Sequence, residues 1–137
     1  MRNAIVFLGA LFLISFAAAS EKPTEAEIEH GKYLVTQVGI CQDCHTPRNE
    51  KGEFIKQQWL AGAPILFKPT VAMPAWADKS PRIAGLPGWD RDGAIKFFMT
   101  GETPDGFPPR PPMPEFRFNR RDAEAVVAYL LSLGPAK

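Results

Sequence analysis

Cys41, Cys44 and His45 are the side chains of this sequence best suited to chemistry. They form Cys41-Gln42-Asp43-Cys44-His45, a C-x-x-C-H motif that uses both cysteines of the chain. At this spacing each sulfur can add to one vinyl group of a haem, and the imidazole that follows can coordinate the iron. The motif therefore predicts one haem c, bound covalently through Cys41 and Cys44, with His45 as an iron ligand.

Two other uses of the cysteine pair have weaker support. A thioredoxin-like dithiol follows a strand and opens a helix in an α/β pattern, whereas this pair follows an amphipathic helix. A tetrahedral zinc site needs four ligands, and the only other histidine that could join Cys41, Cys44 and His45 is His30. Haem attachment is the leading interpretation.

A second axial ligand for the iron could come from Met73, Met99, Met113 or His30. Met99 falls on the apolar face of a predicted helix, where methionine usually fills a core, and His30 lies within the first helix. Met73 and Met113 each precede a proline in a loop. Met113 has prolines on both sides, and their fixed φ angles lower the entropy lost in holding a weak thioether ligand. The sequence favours Met113, with Met73 as the alternative.

The first helix must deliver the C-x-x-C-H motif. Thr24 and Glu27 form a capping box at its start, and Gly39 is a suitable stop immediately before the motif. A second helix is predicted from about Arg91 to Thr100, after the N-cap Asp90. A third helix is predicted after the N-cap Asn119 and ends before Gly134-Pro135.

The segments between the helices are rich in proline. Of the 14 prolines, 11 fall between Pro64 and Pro114. They exclude regular helix and central strand in the segments on either side of the second helix. A disordered linker would lack large apolar side chains, but this region contains many. They are Trp59, Leu60, Ile65, Leu66, Phe67, Val71, Trp76, Ile83, Leu86 and Trp89. We expect an all-α fold, with three main helices and long Pro-rich loops wrapped around one covalent haem.

The amino terminus has the pattern of a secretory signal peptide. Arg2 precedes the apolar run 4–16, and Ala17-Ala18-Ala19 offers a cleavage site. The run is shorter than the ~20 residues that a spanning helix needs, so an uncleaved anchor is the less favoured alternative. We expect a signal peptide at 1–19, one domain at 20–137 and no stable membrane span after cleavage. Cleavage lowers the formal charge from +1 to zero, which gives no basis for nucleic-acid binding.

The sequence resembles the class I cytochromes c over nearly all of the segment 20–137. The matching features are Gly31-Lys32-Tyr33-Leu34-Val35, the motif followed by Thr46-Pro47, Met113-Pro114, and the helix 122–133. It is most similar to the haem domains of cytochrome c subunits of periplasmic dehydrogenases. Those domains share the C-H-T-P attachment, a Leu-Ala-Gly segment (here 60–62) and a P-x-M-P segment before the last helix.

The resemblance implies the cytochrome c fold, with His45 and Met113 as axial ligands. It implies one-electron transfer as a shuttle or as an electron-acceptor subunit, without catalysis by the chain itself. The partners would be redox proteins such as a dehydrogenase or an oxidase, in the periplasm. Gly31 and Tyr33 would lie where the first and last helices cross. The free imidazole nitrogen would donate to a carbonyl near a following proline, for which Pro47 is positioned.

Two other functions stay open. The chain could be a five-coordinate haem protein, either a gas sensor or a haem enzyme, in which Met113 is only structural. It could also be an interaction module in which 108–112, Pro-Pro-Arg-Pro-Pro, binds a groove as a polyproline helix. Trp59 and Arg48 could contact the haem propionates, or could serve only as core and surface residues.

Overall fold

The structure, a computed structural model, describes residues 22–134. The predicted signal peptide at 1–19 lies outside the described residues. Across 22–134 there is no helix of the length and apolar character needed to cross a membrane.

The described part of the chain is helical. It contains two isolated β-bridges but no strand, so the all-α prediction is confirmed. A π-helical turn, Leu34–Val38, extends the first helix, and a 3-10 turn lies at Lys56–Gln58. The four α-helices are α1 (Glu25–Tyr33), α2 (Gln42–His45), α3 (Arg91–Thr100) and α4 (Arg120–Ser132).

The predicted helix starts are confirmed by their side-chain caps. The Thr24 hydroxyl accepts from the Glu27 amide, and the Glu27 carboxylate accepts in return from the Thr24 amide. The Asp90 carboxylate accepts from the Gly93 amide at 2.8 Å. Asn119 caps α4 in the same way. Each cap satisfies an amide that has no partner within its helix, which fixes where the helix begins.

The helical segment ends at Gly39 as predicted, but its last turn is π-helical and not α-helical. The helix widens into the π-helical turn, which closes with a bond from the Gly39 amide to the Leu34 carbonyl at 2.7 Å. The Cys41 amide then donates to the Val35 carbonyl at 2.9 Å. This wider turn leads into α2, a four-residue helix within the haem motif that sequence patterning did not predict, because one turn has no measurable periodicity.

Helices α1 and α4 cross at Gly31, as expected. A Cβ on Gly31 would lie 1.9 Å from the Ala125 carbonyl oxygen and 2.9 Å from the Tyr129 Cβ. Only glycine allows the two backbones this close. The expectation that Tyr33 packs at the same crossing is wrong, because Tyr33 is 56% exposed. The buried stripe passes through Gly31, Leu34 and Val35 instead.

The core combines α3 and α4 with parts of the long loops. From the helices it takes Ile95, Phe98, Val126, Val127 and Leu130, and from the loops Leu60, Ala84 and Leu86. The loops between α2 and α3 are therefore ordered around apolar side chains, as predicted. Among the large apolar residues predicted to be ordered there, Leu66, Phe67 and Val71 are exposed and do not join the core.

Candidate functional site

A large apolar cavity lies beside the C-x-x-C-H motif. Its volume is about 790 Å³, within the range of small-molecule and cofactor sites. Cys41, Cys44, His45 and Met113 all line it. The four residues that the sequence selected from distant positions are thus brought to one cavity.

The apolar walls of the cavity come from the Pro-rich loops and α3. Residues from the loop that follows α2 include Ile65, Ile83 and Leu86, and α3 contributes Phe97 and Phe98. A flat apolar group bound here would bury these side chains and complete the core. This accounts for the many apolar residues in a region without regular secondary structure.

His45 is held rigidly at the cavity wall. Its side chain is buried, with 5% of the residue exposed, and its Nδ1 lies 2.7 Å from the carbonyl oxygen of Pro81. A carbonyl oxygen can only accept, so Nδ1 carries the proton and Nε2 keeps a lone pair that can bind a metal. Burial lowers the pKa of His45, and the bond to Pro81 opposes this effect only in part. The lowered pKa favours the neutral imidazole, which is the form that binds a metal. The prediction of an acceptor near Pro47 is wrong, because the carbonyl that accepts from His45 belongs to Pro81.

A second set of bonds fixes the backbone around His45. The Ser80 hydroxyl donates to the Cys44 carbonyl at 2.5 Å and accepts from the Ala63 amide at 3.0 Å. The Gly62 amide donates to the His45 carbonyl at 2.8 Å. Ser80 is buried and adjacent to Pro81, so one short segment orients both the imidazole and the backbone that carries it. Sequence reasoning missed Ser80 and Pro81, since neither has a motif of its own.

The two cysteines form no disulfide with each other, and both border the same cavity. Burial raises the pKa of Cys41 to about 11, and the neighbouring Cys44 adds a smaller effect in the same direction. The pKa of Cys44 is raised by burial and by the charge of Asp43. The surroundings thus disfavour a thiolate, whereas a thioether carries no charge and is buried at no such cost.

Met113 is the one candidate for the second iron ligand that lines the cavity. Met73 is 39% exposed and does not border it, and Met99 packs against the core from α3. His30 is directed to α4, where its Nε2 lies 2.7 Å from an Asp122 carboxylate oxygen. The His30 side chain is 41% exposed, and this contact links the two crossing helices.

The segment that carries Met113, residues 108–114, is called the strap here. Pro109, Pro112 and Pro114 also line the cavity. The Met113 amide donates to the Arg110 carbonyl at 3.1 Å, which forms a single turn. This placement gives no support to a polyproline ligand that projects from the surface.

Trp59 and Arg48 do not line the cavity. The Trp59 indole N–H donates to the Tyr129 hydroxyl at 3.2 Å, and Arg48 pairs with Asp43 and covers the Phe54 ring. Trp59 is therefore a core residue and Arg48 a surface residue. Three other cations, Lys79, Arg82 and Arg110, border the cavity together with one acid, Asp43.

The donor set and the cavity fit a covalently bound haem. The two cysteine sulfurs and the His45 imidazole border one apolar cavity, and the strap that carries the Met113 thioether lines the same cavity. Among residues 22–134 no group of three His, Cys, Asp or Glu side chains is arranged to hold a metal ion alone, which gives the zinc alternative no support. The thioredoxin alternative fails because the described chain lacks the strand that should precede the cysteines.

A family model described as cytochrome c matches residues 28–134, and the chain belongs to the cytochrome c family. This match runs from within α1 to beyond the end of α4 and includes all residues that line the cavity. Membership supports electron transfer through a covalently attached c-type haem, and the role of a carrier in place of an enzyme.

Several relatives are subunits of oxidoreductases by name. A diheme cytochrome c-type protein of Cereibacter sphaeroides is 36% identical over 58% of this chain and 24% of its own length. The cytochrome c subunit of a quinone-type alcohol dehydrogenase of Gluconacetobacter polyoxogenes is 35% identical over 57% of this chain and 17% of its own. The fructose dehydrogenase cytochrome subunit of Gluconobacter japonicus is 29% identical over 78% of this chain and 22% of its own. The chain thus spans about a fifth of the length of these relatives.

Proposed function

We propose that this protein is a one-electron carrier with a single haem c. In this proposal Cys41 and Cys44 form the two thioether bonds, and His45 and Met113 are the axial ligands. The observation that carries it is that all four residues line one apolar cavity, while Met73, Met99 and His30 do not. A haem bound here supplies the one-electron couple of its iron.

The residues of the chain would set the potential of that couple. A thioether from Met113 stabilises ferrous iron and raises the reduction potential. The apolar walls of the cavity favour the form with the lower charge, which shifts the potential in the same direction. The His45 bond to Pro81 fixes the tautomer and the plane of the imidazole. If His45 and Met113 both bound the iron, no coordination position would be left for oxygen or peroxide, which would separate a carrier from a five-coordinate sensor or enzyme.

The cations at the cavity suit the two propionates of a haem. Lys79, Arg82 and Arg110 provide three positive charges against the one negative charge of Asp43. A buried carboxylate is costly unless a cation or several donors compensate for it. We assign the two propionates to this set of cations, in place of Trp59 and Arg48.

The partners in this proposal are redox proteins. They are a dehydrogenase, which would donate electrons to the haem, or an oxidase, which would accept them. The support is that two of the relatives named above are cytochrome subunits of an alcohol and a fructose dehydrogenase. Export by residues 1–19 would place the protein in the periplasm, where such a subunit meets its partners.

The experiment that tests this function is a visible spectrum of the purified protein, oxidised and then reduced, before and after addition of carbon monoxide. A six-coordinate carrier gives a low-spin spectrum in both states and binds carbon monoxide slowly. Rapid and tight binding by the reduced wild-type protein would instead identify the five-coordinate alternative.

A further inference from the structure

The strap has almost no backbone donors. Residues 108, 109, 111, 112 and 114 are prolines and lack an N–H group, so only Arg110 and Met113 have backbone amides. The Met113 amide is used within the strap, on the Arg110 carbonyl. The strap therefore cannot be fixed by a ladder of its own amides, although it carries the proposed iron ligand.

The Arg110 side chain supplies hydrogen-bond donors that the prolines of the strap lack. The Arg110 Nε donates to the Ala75 carbonyl at 3.1 Å, and its Nη2 donates to the Trp76 carbonyl at 3.0 Å. Next to this pair, the Ala77 amide donates to the Pro111 carbonyl at 2.7 Å. These three bonds join the strap to residues 73–78, called the outer loop here. Two of the three depend on the guanidinium group.

We propose that Arg110 is a positioning residue that holds Met113 at the iron by clamping the strap to the outer loop. This inference rests on the proposed function, in which Met113 is the axial ligand. The geometry requires a planar group with two separated donors, because the acceptors are successive carbonyls. Arginine provides such a fork, whereas lysine has one nitrogen and cannot match both acceptors in the same way.

A purely electrostatic role is the competing explanation, since Arg110 also borders the cavity. A cation that only neutralised a propionate would change the reduction potential but leave the iron–sulfur bond intact. The loss of a clamp would instead weaken the iron–sulfur bond. The strap would become free to move, and the weak thioether ligand would dissociate from the iron. Lys79 offers a matched control, because it is a cavity-lining cation and lies outside both the strap and the outer loop.

The test compares holoproteins carrying Arg110→Gln, Arg110→Lys, Lys79→Gln and Met113→Ala with the wild type. Two readouts are measured: the long-wavelength charge-transfer band of the oxidised iron–thioether bond, and carbon monoxide binding to the reduced protein. We expect Arg110→Gln to weaken the band and to increase carbon monoxide affinity about tenfold. Glutamine can replace only one of the two hydrogen bonds, and this factor corresponds to the loss of one charge-assisted bond. Arg110→Lys should give an intermediate result. Lys79→Gln removes a cavity charge without touching the strap, so it should weaken the band less than Arg110→Gln does.

The outcomes separate the inference from the proposed function. If Met113→Ala abolishes the band while Arg110→Gln retains it with wild-type carbon monoxide binding, the clamp is refuted and Met113 stays the ligand. Equal loss in Arg110→Gln and Lys79→Gln would also refute the clamp, because charge alone would then explain both. If Met113→Ala leaves the band unchanged, Met113 is not the ligand, and the clamp is refuted with it.

Discussion

The Cα of Gly31 packs so closely on the backbone of Ala125 that a Cβ would lie 1.9 Å from the carbonyl oxygen. This contact sets the distance between α1 and α4, and α1 continues into the segment that carries the cysteines. The crossing therefore positions the haem motif relative to the core formed by α4. Gly31→Ala should separate the helices and lower the free energy of unfolding by about 2 kcal/mol, in the range for overpacked sites.

Urea denaturation followed by circular dichroism measures this change. Glu29→Ala serves as the control, because Glu29 lies in the same helix on an exposed surface and should change stability by less than about 0.5 kcal/mol. Wild-type stability of Gly31→Ala would mean that the helices do not approach as closely as described.

Tyr129 joins α4 to the loop after α2. Its hydroxyl accepts from the Trp59 indole at 3.2 Å, so Tyr129→Phe leaves a partly buried donor without this partner. We expect a loss of about 1 kcal/mol in unfolding free energy. The other tyrosine, Tyr33, is a surface residue, and Tyr33→Phe should have no measurable effect in the same denaturation experiment. Equal effects of the two substitutions would contradict the described bond.

Ser80 should contribute to stability through the backbone beside His45. Ser80→Ala removes the donor to the Cys44 carbonyl and leaves the buried Ala63 amide without its acceptor. The expected cost is about 2 kcal/mol, measured by thermal denaturation of the holoprotein. Ser132→Ala, which removes an exposed hydroxyl that donates to the Tyr129 carbonyl, should cost less than about 0.5 kcal/mol. A larger loss of stability in Ser132→Ala than in Ser80→Ala would contradict the described bonds of Ser80.

The choice between Met113 and Met73 has its own test. Met113→Ala should lower the reduction potential, because ferrous iron loses its thioether ligand, and should raise carbon monoxide affinity at least about tenfold. Met73→Ala, at a half-exposed methionine outside the cavity, should leave both properties at wild-type values. Potentiometric titration and carbon monoxide binding measure the two effects. A larger effect at Met73 would assign the iron ligand to the other loop.

Local sequence signals predicted the regular part of this fold. Asp90 and Asn119 cap their helices as expected, and the predicted second helix has the bounds that the structure gives for α3. The third predicted helix corresponds to α4, which ends before Gly134 as expected. These features depend on residues within a few positions of one another, which is the range over which propensity and periodicity act.

The partners of the site residues could not be predicted in the same way. The acceptor for His45 is the carbonyl of Pro81, 36 residues away, and every residue has a carbonyl. Its identity depends on the path of a proline-rich loop without periodicity. The partners of Arg110 are likewise backbone carbonyls of Ala75 and Trp76, which no side-chain pattern marks. The sequence predicted which side chains could bind the haem, but it did not predict which backbone carbonyls orient them.

Covalent attachment of one haem is the claim on which the rest depends, and the mass of the denatured protein tests it most directly. The chain should be produced in cells with intact haem-attachment machinery and compared with a Cys41→Ser/Cys44→Ser double variant. We predict that the wild-type polypeptide carries the added mass of one haem after denaturation and acid–acetone extraction, and that the double variant carries none. A wild-type product at the mass of the bare chain, colourless and with two titratable thiols, would contradict the account.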